Sequence, residues 1–105
     1  MTFDDYQRQA LATARDEGSE LQQRMLGLVG EVGELADKIK KLYRDDNADV
    51  SRLDKDVLGA ELGDTLWYVA ALADLFGHKL SEIAAANIKN RAERITRAAQ
   101  RSRAT

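Results

Sequence analysis

The clearest hydrophobic pattern in the chain lies in its second quarter. Apolar residues recur there at alternating steps of four and three positions: Leu21, Met25, Leu28, Val32, Leu35, Ile39 and Leu42. Steps of three and four place side chains on one face of an α-helix. The pattern predicts a long amphipathic helix that ends before residues 44–50, a polar stretch rich in Asp and Asn that is typical of a loop.

Three further helices are predicted from periodicity and from the residues that begin and end helices. We expect helices over residues 3 to about 17, ending near Gly18, over residues 53–76, with Gly77 as the C-cap, and from about residue 81 until it frays after Ala99. The spacing of a capping box marks the N-termini of three of the predicted helices: Thr2 with Asp5, Ser19 with Gln22, and Ser51 with Asp54. The third helix gathers its apolar residues on one side: Leu58, Leu62, Leu66, Val69, Ala73 and Phe76.

Composition agrees with an all-α fold in a single domain over residues 1–105. The chain has no Pro and few aromatic residues, which favours helix. A domain of this size buries only about 60–70% of the surface that its unfolded chain exposes. We therefore expect an antiparallel helical hairpin whose core is completed by oligomerisation, as a homodimer or homotetramer. The lack of Cys excludes disulfides, a thiolate nucleophile and a zinc–thiolate site.

Charge and hydropathy narrow the expected partners. No apolar run approaches the roughly 18 residues that a membrane span needs, and no signal peptide opens the chain, so we expect a cytoplasmic protein without a membrane partner. Residues 89–103 are strongly basic. Such a segment meets solvent, a phosphate ligand or nucleic acid. The solvated face is favoured, and nucleic acid is disfavoured because no aromatic interleaving or known motif accompanies the charge.

A seven-residue motif occurs twice, once in the second helix and once in the third. The copies read LVGEVGE over residues 28–34 and LGAELGD over residues 58–64. In each copy two acids lie three positions apart, Glu31 with Glu34 and Glu61 with Asp64, so they are neighbours on one helix face. The first acid of each pair lies roughly 80–90° from the centre of the apolar face. We expect it to be partly covered by a partner helix.

The spacing of the two copies predicts where the four acids meet. The midpoint between Glu34 and Glu61, like that between Glu31 and Asp64, falls between residues 47 and 48. An antiparallel hairpin that turns there brings all four carboxylates to one level. Their repulsion costs about 0.2–0.5 kcal/mol per neighbouring pair, and the helical glycine inside each pair costs about 1 kcal/mol. Both copies of the motif carry the same two costs to helix stability, the repulsion of the acids and the helical glycine, which indicates a functional constraint.

A hard divalent cation is the natural compensation for four converging carboxylates. Oxygen ligands without His or Cys suit Mg²⁺, with Mn²⁺ as a substitute. The predicted metal ligands are Glu31, Glu34, Glu61 and Asp64. The alternative, ordinary surface charges paired with Lys38 and Lys41, is weakened by the matched second copy. A di-iron bundle is weaker still, since its E-x-x-H motifs need histidines and His78 is expected in a loop.

The chemistry that such a site suits is hydrolysis of a phosphoanhydride. This reaction requires neutralised phosphate charge and an oriented water, both of which a carboxylate–metal site supplies. A carboxylate that the metal does not fully engage accepts the proton of the water. We predict that Glu31 is this general base.

Four further residues are candidates for substrate binding: Lys38, Tyr68, Asn87 and Arg91. For Lys38 the alternative is an i,i+4 ion pair with Glu34, and for Tyr68 it is packing in the core. Asn87 and Arg91 lie four positions apart on the fourth helix and could bind phosphate or metal. Trp67 points away from the acid face and is expected in packing or at an interface.

The double acid motif and its surroundings resemble the MazG-type nucleoside triphosphate pyrophosphohydrolases. The pairs Glu31-x-x-Glu34 and Glu61-x-x-Asp64, separated by 26 residues, match the signature of this family. The flanking segments GLVGEVGEL and ELGDTLWY, the pair Tyr6-Gln7 and the Ala-Asn-Ile at Asn87 are also similar to it. The resemblance spans roughly residues 3–94.

This resemblance implies an all-α fold that assembles as a dimer or a dimer of dimers. It implies hydrolysis of a nucleoside triphosphate between the α and β phosphates, in house-cleaning or control of the nucleotide pool. Family members often carry Lys three residues after the helix-four Asn, whereas Asn90 stands there between Lys89 and Arg91. The resemblance therefore does not identify the residue of the fourth helix that contacts phosphate, or the preferred base. Two alternatives to an enzyme also remain: a non-catalytic metal or nucleotide sensor on the same fold, and a helical interaction module.

Overall fold

The computed structural model describes residues 1–15 and 20–104, and this part of the chain is all-α. Four helices and one 3₁₀ turn follow in order: α1 (Phe3–Leu11), α2 (Glu20–Asp45), the turn Val50–Arg52, α3 (Lys55–Leu75) and α4 (Leu80–Ala104). The predicted all-α fold is confirmed. The predicted cap at Ser19 and the helix end near Gly18 lie outside the described residues.

The first helix is shorter than predicted. Its capping box is confirmed, with the Thr2 side chain accepting from the Asp5 amide and the Asp5 carboxylate accepting from the Thr2 amide. The helix ends at Leu11, however, and does not continue to residue 17. The Trp67 indole N–H donates to the Ala10 carbonyl at 3.1 Å and to Thr13 Oγ1 at 2.9 Å. Because α3 thus provides a partner for a carbonyl at the helix end, the chain can leave the helix early.

The turn of the α2–α3 hairpin lies where the repeat spacing predicts it. Asn47 and Ala48 both have left-handed backbones, with φ of 53° and 60°, and they reverse the chain between the two helices. The predicted Ser51–Asp54 capping box is wrong. Asp49 instead accepts from Ser51 at the start of the 3₁₀ turn, and Asp54 is the N-cap of α3.

The far end of α3 is tied to α1 and α4 by buried polar contacts. Gln7 is 7% exposed, and its side-chain amide donates to the carbonyls of Ala70 and His78 and accepts from the Leu80 amide. Asp4 accepts from both the amide and the hydroxyl of Ser81. The first turn of α4 is therefore capped from α1. His78 lies in the loop after Gly77, as predicted, and Gly77 has the left-handed φ of 80° that favours Gly after a helix.

The hydrophobic core is small and lies around the second half of α3. Its buried apolar members are Ala10, Leu42, Ala70, Ala71, Leu72, Ala73 and Leu80. The apolar face of α2 is only partly covered. Leu28, Leu35 and Leu42 are half-buried or buried, whereas Met25, Val32 and Ile39 on the same face are exposed. Along α3, Leu62 and Phe76 are exposed as well.

The fourth helix is longer than predicted and largely exposed. It continues to Ala104 without fraying at Ala99, and beyond residue 84 every described residue except Ala99 is exposed. Ile88 and Ile95 are each 69% exposed on it. None of the helices in the described part of the chain is both long and apolar enough to cross a membrane.

Candidate functional site

The two acid pairs lie on facing parts of α2 and α3, the two helices with the most extensive mutual packing. In each pair the first acid is the more covered one. Glu31 is half-buried and Glu61 is 9% exposed, whereas Glu34 and Asp64 are exposed. This is the burial that the helical projection predicts, since the first acid of each copy lies nearer the packed face.

The other three acids act electrostatically on the Glu31 carboxyl. The pKa of the Glu31 carboxyl is raised, first because its charged form is partly desolvated and then because Glu34, Asp64 and Glu61 add negative charge nearby. The hairpin therefore brings the acids to one level, as the spacing predicts. Within residues 1–15 and 20–104, however, no three acidic or His side chains are already arranged as a closed set of metal ligands.

Glu61 is the most unusual of the four acids. Lys38 Nζ lies 2.6 Å from its Oε1 atom, across the hairpin from α2 to α3. The other oxygen, Oε2, is buried and has no hydrogen-bond partner among residues 1–15 and 20–104. A buried carboxylate oxygen without a partner is costly. Sequence reasoning named Glu34 or a phosphate as the partner of Lys38, and the structure instead pairs it with Glu61.

An open cleft of about 370 Å³ lies beside the acids. It is lined by Thr13, Glu31, Asp64, Trp67 and Tyr68. A second cavity of about 240 Å³ shares Thr13, Trp67 and Tyr68 with it and continues to Glu20, Gln23 and Arg24. Polar and aromatic side chains thus extend from the acids toward the start of α2, as a nucleotide-sized ligand requires.

Tyr68 lies at the acid face, where the sequence places it, and closes on α2. A Cβ atom added at Gly27 would overlap its phenol ring, so the ring lies directly against the α2 backbone at that position. Trp67 stacks edge-on against Tyr68 with ring centroids 5.0 Å apart. Trp67 fulfils the packing role expected of it through its bonds to α1, but it also lines the cleft, which the projection did not predict.

Two side chains outside the predicted set adjoin the site. Arg24 is largely buried and donates to the Ala71 carbonyl at 2.6 Å, which joins the start of α2 to α3 beside the smaller cavity. Tyr6 of α1 lies close enough to Asp64 for that charge to raise the pKa of its phenol, after the larger effect of burial. Only the Tyr6-Gln7 resemblance pointed to either residue before the structure.

Comparison with known families identifies this arrangement. The MazG nucleotide pyrophosphohydrolase domain matches residues 19–97, which contain both acid pairs and the hairpin that joins them. The chain belongs to this family. Among curated proteins, Gene 37 protein of Mycobacterium phage L5 is 46% identical over 63 residues. That match covers 60% of this chain and 55% of the phage protein, so the chain spans about half the length of its relative. No solved structure matches the chain.

Two of the predicted substrate-binding residues lie away from the four acids within one chain. Asn87 and Arg91 are exposed on α4. Neither lines a cleft that contains the acids, and α4 packs against α1 and α3 at its start. Their contact with phosphate or metal stays a prediction, and within one chain both residues lie outside the cleft that Glu31 and Asp64 line.

The side chains present fit a hard divalent cation. All four candidate ligands are carboxylates, which suit Mg²⁺ or Mn²⁺. The buried, unpartnered Oε2 atom of Glu61 supplies a ligand atom without a competing hydrogen bond. The exposed positions of Glu34 and Asp64 leave their side chains free to turn toward a common ion, since neither forms an ion pair shown in the described part of the chain.

Proposed function

We propose that this MazG domain is a Mg²⁺-dependent nucleoside triphosphate pyrophosphohydrolase, with Mn²⁺ as a possible substitute. The observation that carries the proposal is the buried, unpartnered oxygen of Glu61 beside three further acids. The metal ligands proposed are Glu31, Glu34, Glu61 and Asp64. When bound, the cation neutralises phosphate charge and favours ionisation of water.

The protein's own residues position the water and the substrate. Glu31 accepts a proton from water. The water oxygen bonds to the α phosphorus, while the bond from that phosphorus to the oxygen bridging the α and β phosphates breaks. Pyrophosphate leaves with the bond's electron pair, and the nucleoside monophosphate remains. The position of Glu31 supports this role, because its half-buried carboxylate lines the cleft beside Asp64 and Tyr68.

Substrate contacts are assigned to both hairpin helices and to α4. Tyr68 lines the cleft beside Glu31 and Asp64, where its phenol meets the sugar or phosphates. Lys38 reaches the acid level from α2, where its ammonium pairs with Glu61, and we assign it to the phosphates. Asn87 and Arg91 take part when a second chain brings α4 to the acid site.

Product analysis tests the reaction. With Mg²⁺ and a panel of canonical and modified nucleoside triphosphates, we expect monophosphate and pyrophosphate as the initial products. Phosphorus NMR should show no diphosphate and little orthophosphate at early times. Initial release of diphosphate and orthophosphate would contradict the proposed bond cleavage, whereas nucleotide binding without any turnover would favour a sensor on the same fold.

Assembly into a homodimer or homotetramer is the second part of the proposal. The radius of gyration is 17.9 Å, against about 13 Å for a compact domain of this length. Exposed Met25, Val32 and Ile39 form an apolar row on α2. Cβ atoms added at Gly33 or Gly63 meet nothing within 4 Å, so packing in the single chain does not require Gly there.

We expect light scattering at micromolar concentration to give at least twice the 11.7 kDa mass of the chain. The physical reason is that burying the exposed apolar row of α2 gains about 25 cal/mol per Å². A sample that remains at the monomer mass would contradict the assembly and would leave Asn87 and Arg91 without a route to the acids.

A further inference from the structure

The ion pair between Lys38 and Glu61 differs from the other ion pairs on the helix surfaces of the described part of the chain. It joins α2 to α3 across 23 positions of sequence, whereas Lys41 pairs with Asp37 one turn away on the same helix. The Glu61 side chain is 11% exposed and that of Lys38 is 38% exposed. By contrast, the side chains of Lys41 and Asp37 are 55% and 50% exposed.

The burial of Glu61 makes this cation important to the metal-free protein. A buried carboxylate without a positive partner pays a desolvation penalty that it recovers only through paired charge or hydrogen bonds. Among the residues that the structure describes, Lys38 alone donates a hydrogen bond to the Glu61 carboxylate. The same ammonium lies near Glu34, whose charge also raises the pKa of Lys38, after the larger effect of the hydrogen bond to Glu61.

Lys38 therefore holds one of the two carboxylate oxygens of Glu61, Oε1, whereas Oε2 has no partner among the described residues, so a cation bound to Oε2 alone would leave Lys38 in place. A cation that takes both oxygens of Glu61, or Oε1 alone, competes with an ammonium 2.6 Å from Oε1. Two positive charges cannot share that oxygen at contact distance without strong repulsion. The long, flexible Lys stem can move its ammonium away without moving the backbone.

We propose that Lys38 is a resident counter-cation of the acid cluster, which a divalent metal displaces from Glu61. The inference rests on the proposed metal site and adds a step to it. Before metal binds, Lys38 stabilises the hairpin by neutralising Glu61. After metal binds, the ammonium is released at the same level of the hairpin, where it is available to the phosphates of a substrate. Metal affinity is therefore weaker than the four carboxylates alone would give.

The test measures metal binding without nucleotide, so it does not depend on turnover. Calorimetric titration with Mg²⁺ and with Mn²⁺ compares the wild type with Lys38→Met and with Lys41→Met. The control removes the same charge from the same helix, but it breaks only the exposed pair with Asp37. We expect Lys38→Met to bind metal about two- to fivefold more tightly than wild type, since a partly exposed ion pair contributes at most about 1 kcal/mol and each 1.4 kcal/mol is tenfold in affinity. Lys41→Met should stay close to wild type.

A second measurement follows the ammonium itself. Metal should raise the rate at which an acetylating reagent modifies Lys38 in the wild type, as read by mass spectrometry, while the rate at Lys41 stays constant. If Lys38→Met fails to fold, Lys38→Gln removes the charge while keeping a donor for Glu61, and the same gain in affinity is expected.

The outcomes separate this inference from the proposed function. A wild type that binds neither metal overturns both the metal site and the displacement of Lys38. A wild type that binds metal, with equal affinities for both Lys variants or unchanged acetylation of Lys38, overturns the displacement alone. Tighter binding by the Lys38 variant together with faster acetylation of Lys38 supports it.

Discussion

Asp64→Asn is expected to remove most of the stabilisation that Mg²⁺ gives to the folded protein. A ligand at 100 times its Kd stabilises the native state by about 2.7 kcal/mol. The variant loses one of four charges that attract the cation, and it changes an exposed side chain without an ion pair shown in the described part of the chain. Thermal melts with and without Mg²⁺, followed by far-UV circular dichroism, measure the loss while checking that the helices remain.

Asp74→Asn is the matched control for this prediction. Asp74 is an exposed acid on the same helix, so its replacement changes the net charge by the same amount. It should keep the full metal response of the wild type. Glu61→Gln should lose the response too, but it also breaks the pair with Lys38, so Asp64 is the cleaner position. Equal melting shifts in the wild type and in both ligand variants would contradict the metal site.

The hairpin could be predicted from sequence because its helices are marked by residues close together in the chain and its acid motif occurs twice. Period and caps place α2 and α3, and the two acid motifs lie at equal distances from Asn47 and Ala48, where the chain does turn. Antiparallel packing then brings residues equidistant from the turn to one level. The same reasoning ranks the burial of Glu31 and Glu61 above that of their neighbours, as found.

The end of α1 could not be predicted, because a distant residue contributes to it. Trp67 donates to the Ala10 carbonyl across 57 positions. No window of local sequence contains both partners. Helix propensity continues past Leu11, and the tertiary contact from α3 provides another way to satisfy the chain there.

The partner of Lys38 was missed for a related reason. On one helix, Glu34 and Lys38 have the spacing of an ion pair, and local rules favour it. Glu34 is exposed, however, whereas Glu61 is buried across the hairpin and pays more for an unpaired charge. Burial therefore determines which of the two acids pairs with Lys38. It depends on the packing of α2 against α3 rather than on the spacing of residues within α2.

Acidic pH should destabilise the wild type through the contact between α1 and α4. Hydrogen bonds from the Ser81 hydroxyl and amide lower the pKa of the Asp4 carboxyl. A lowered pKa in the folded state adds stability that is present above the unfolded pKa and is lost as pH falls through the folded pKa. Melting temperatures over this acid range should fall less steeply for Asp4→Asn, which has no proton to bind. An unchanged slope would contradict the assignment.

Glu31→Gln is expected to lower kcat by about 10²- to 10⁴-fold, the usual contribution of a positioned general base. Substrate binding should change far less, because Gln keeps the shape of the side chain. Saturating Mg²⁺ compensates for any loss of metal affinity, and binding is measured with a triphosphate whose α–β bridge cannot be hydrolysed. The wild type should also lose activity in acid as Glu31 becomes protonated, since the protonated acid cannot accept a proton. The residual activity of the variant should lack that dependence on pH.

Glu93→Gln, which replaces an exposed acid on α4, is the control that should retain wild-type kcat. If kcat and nucleotide affinity fall together in the Glu31 variant, Glu31 serves only as a ligand and the proton acceptor lies elsewhere.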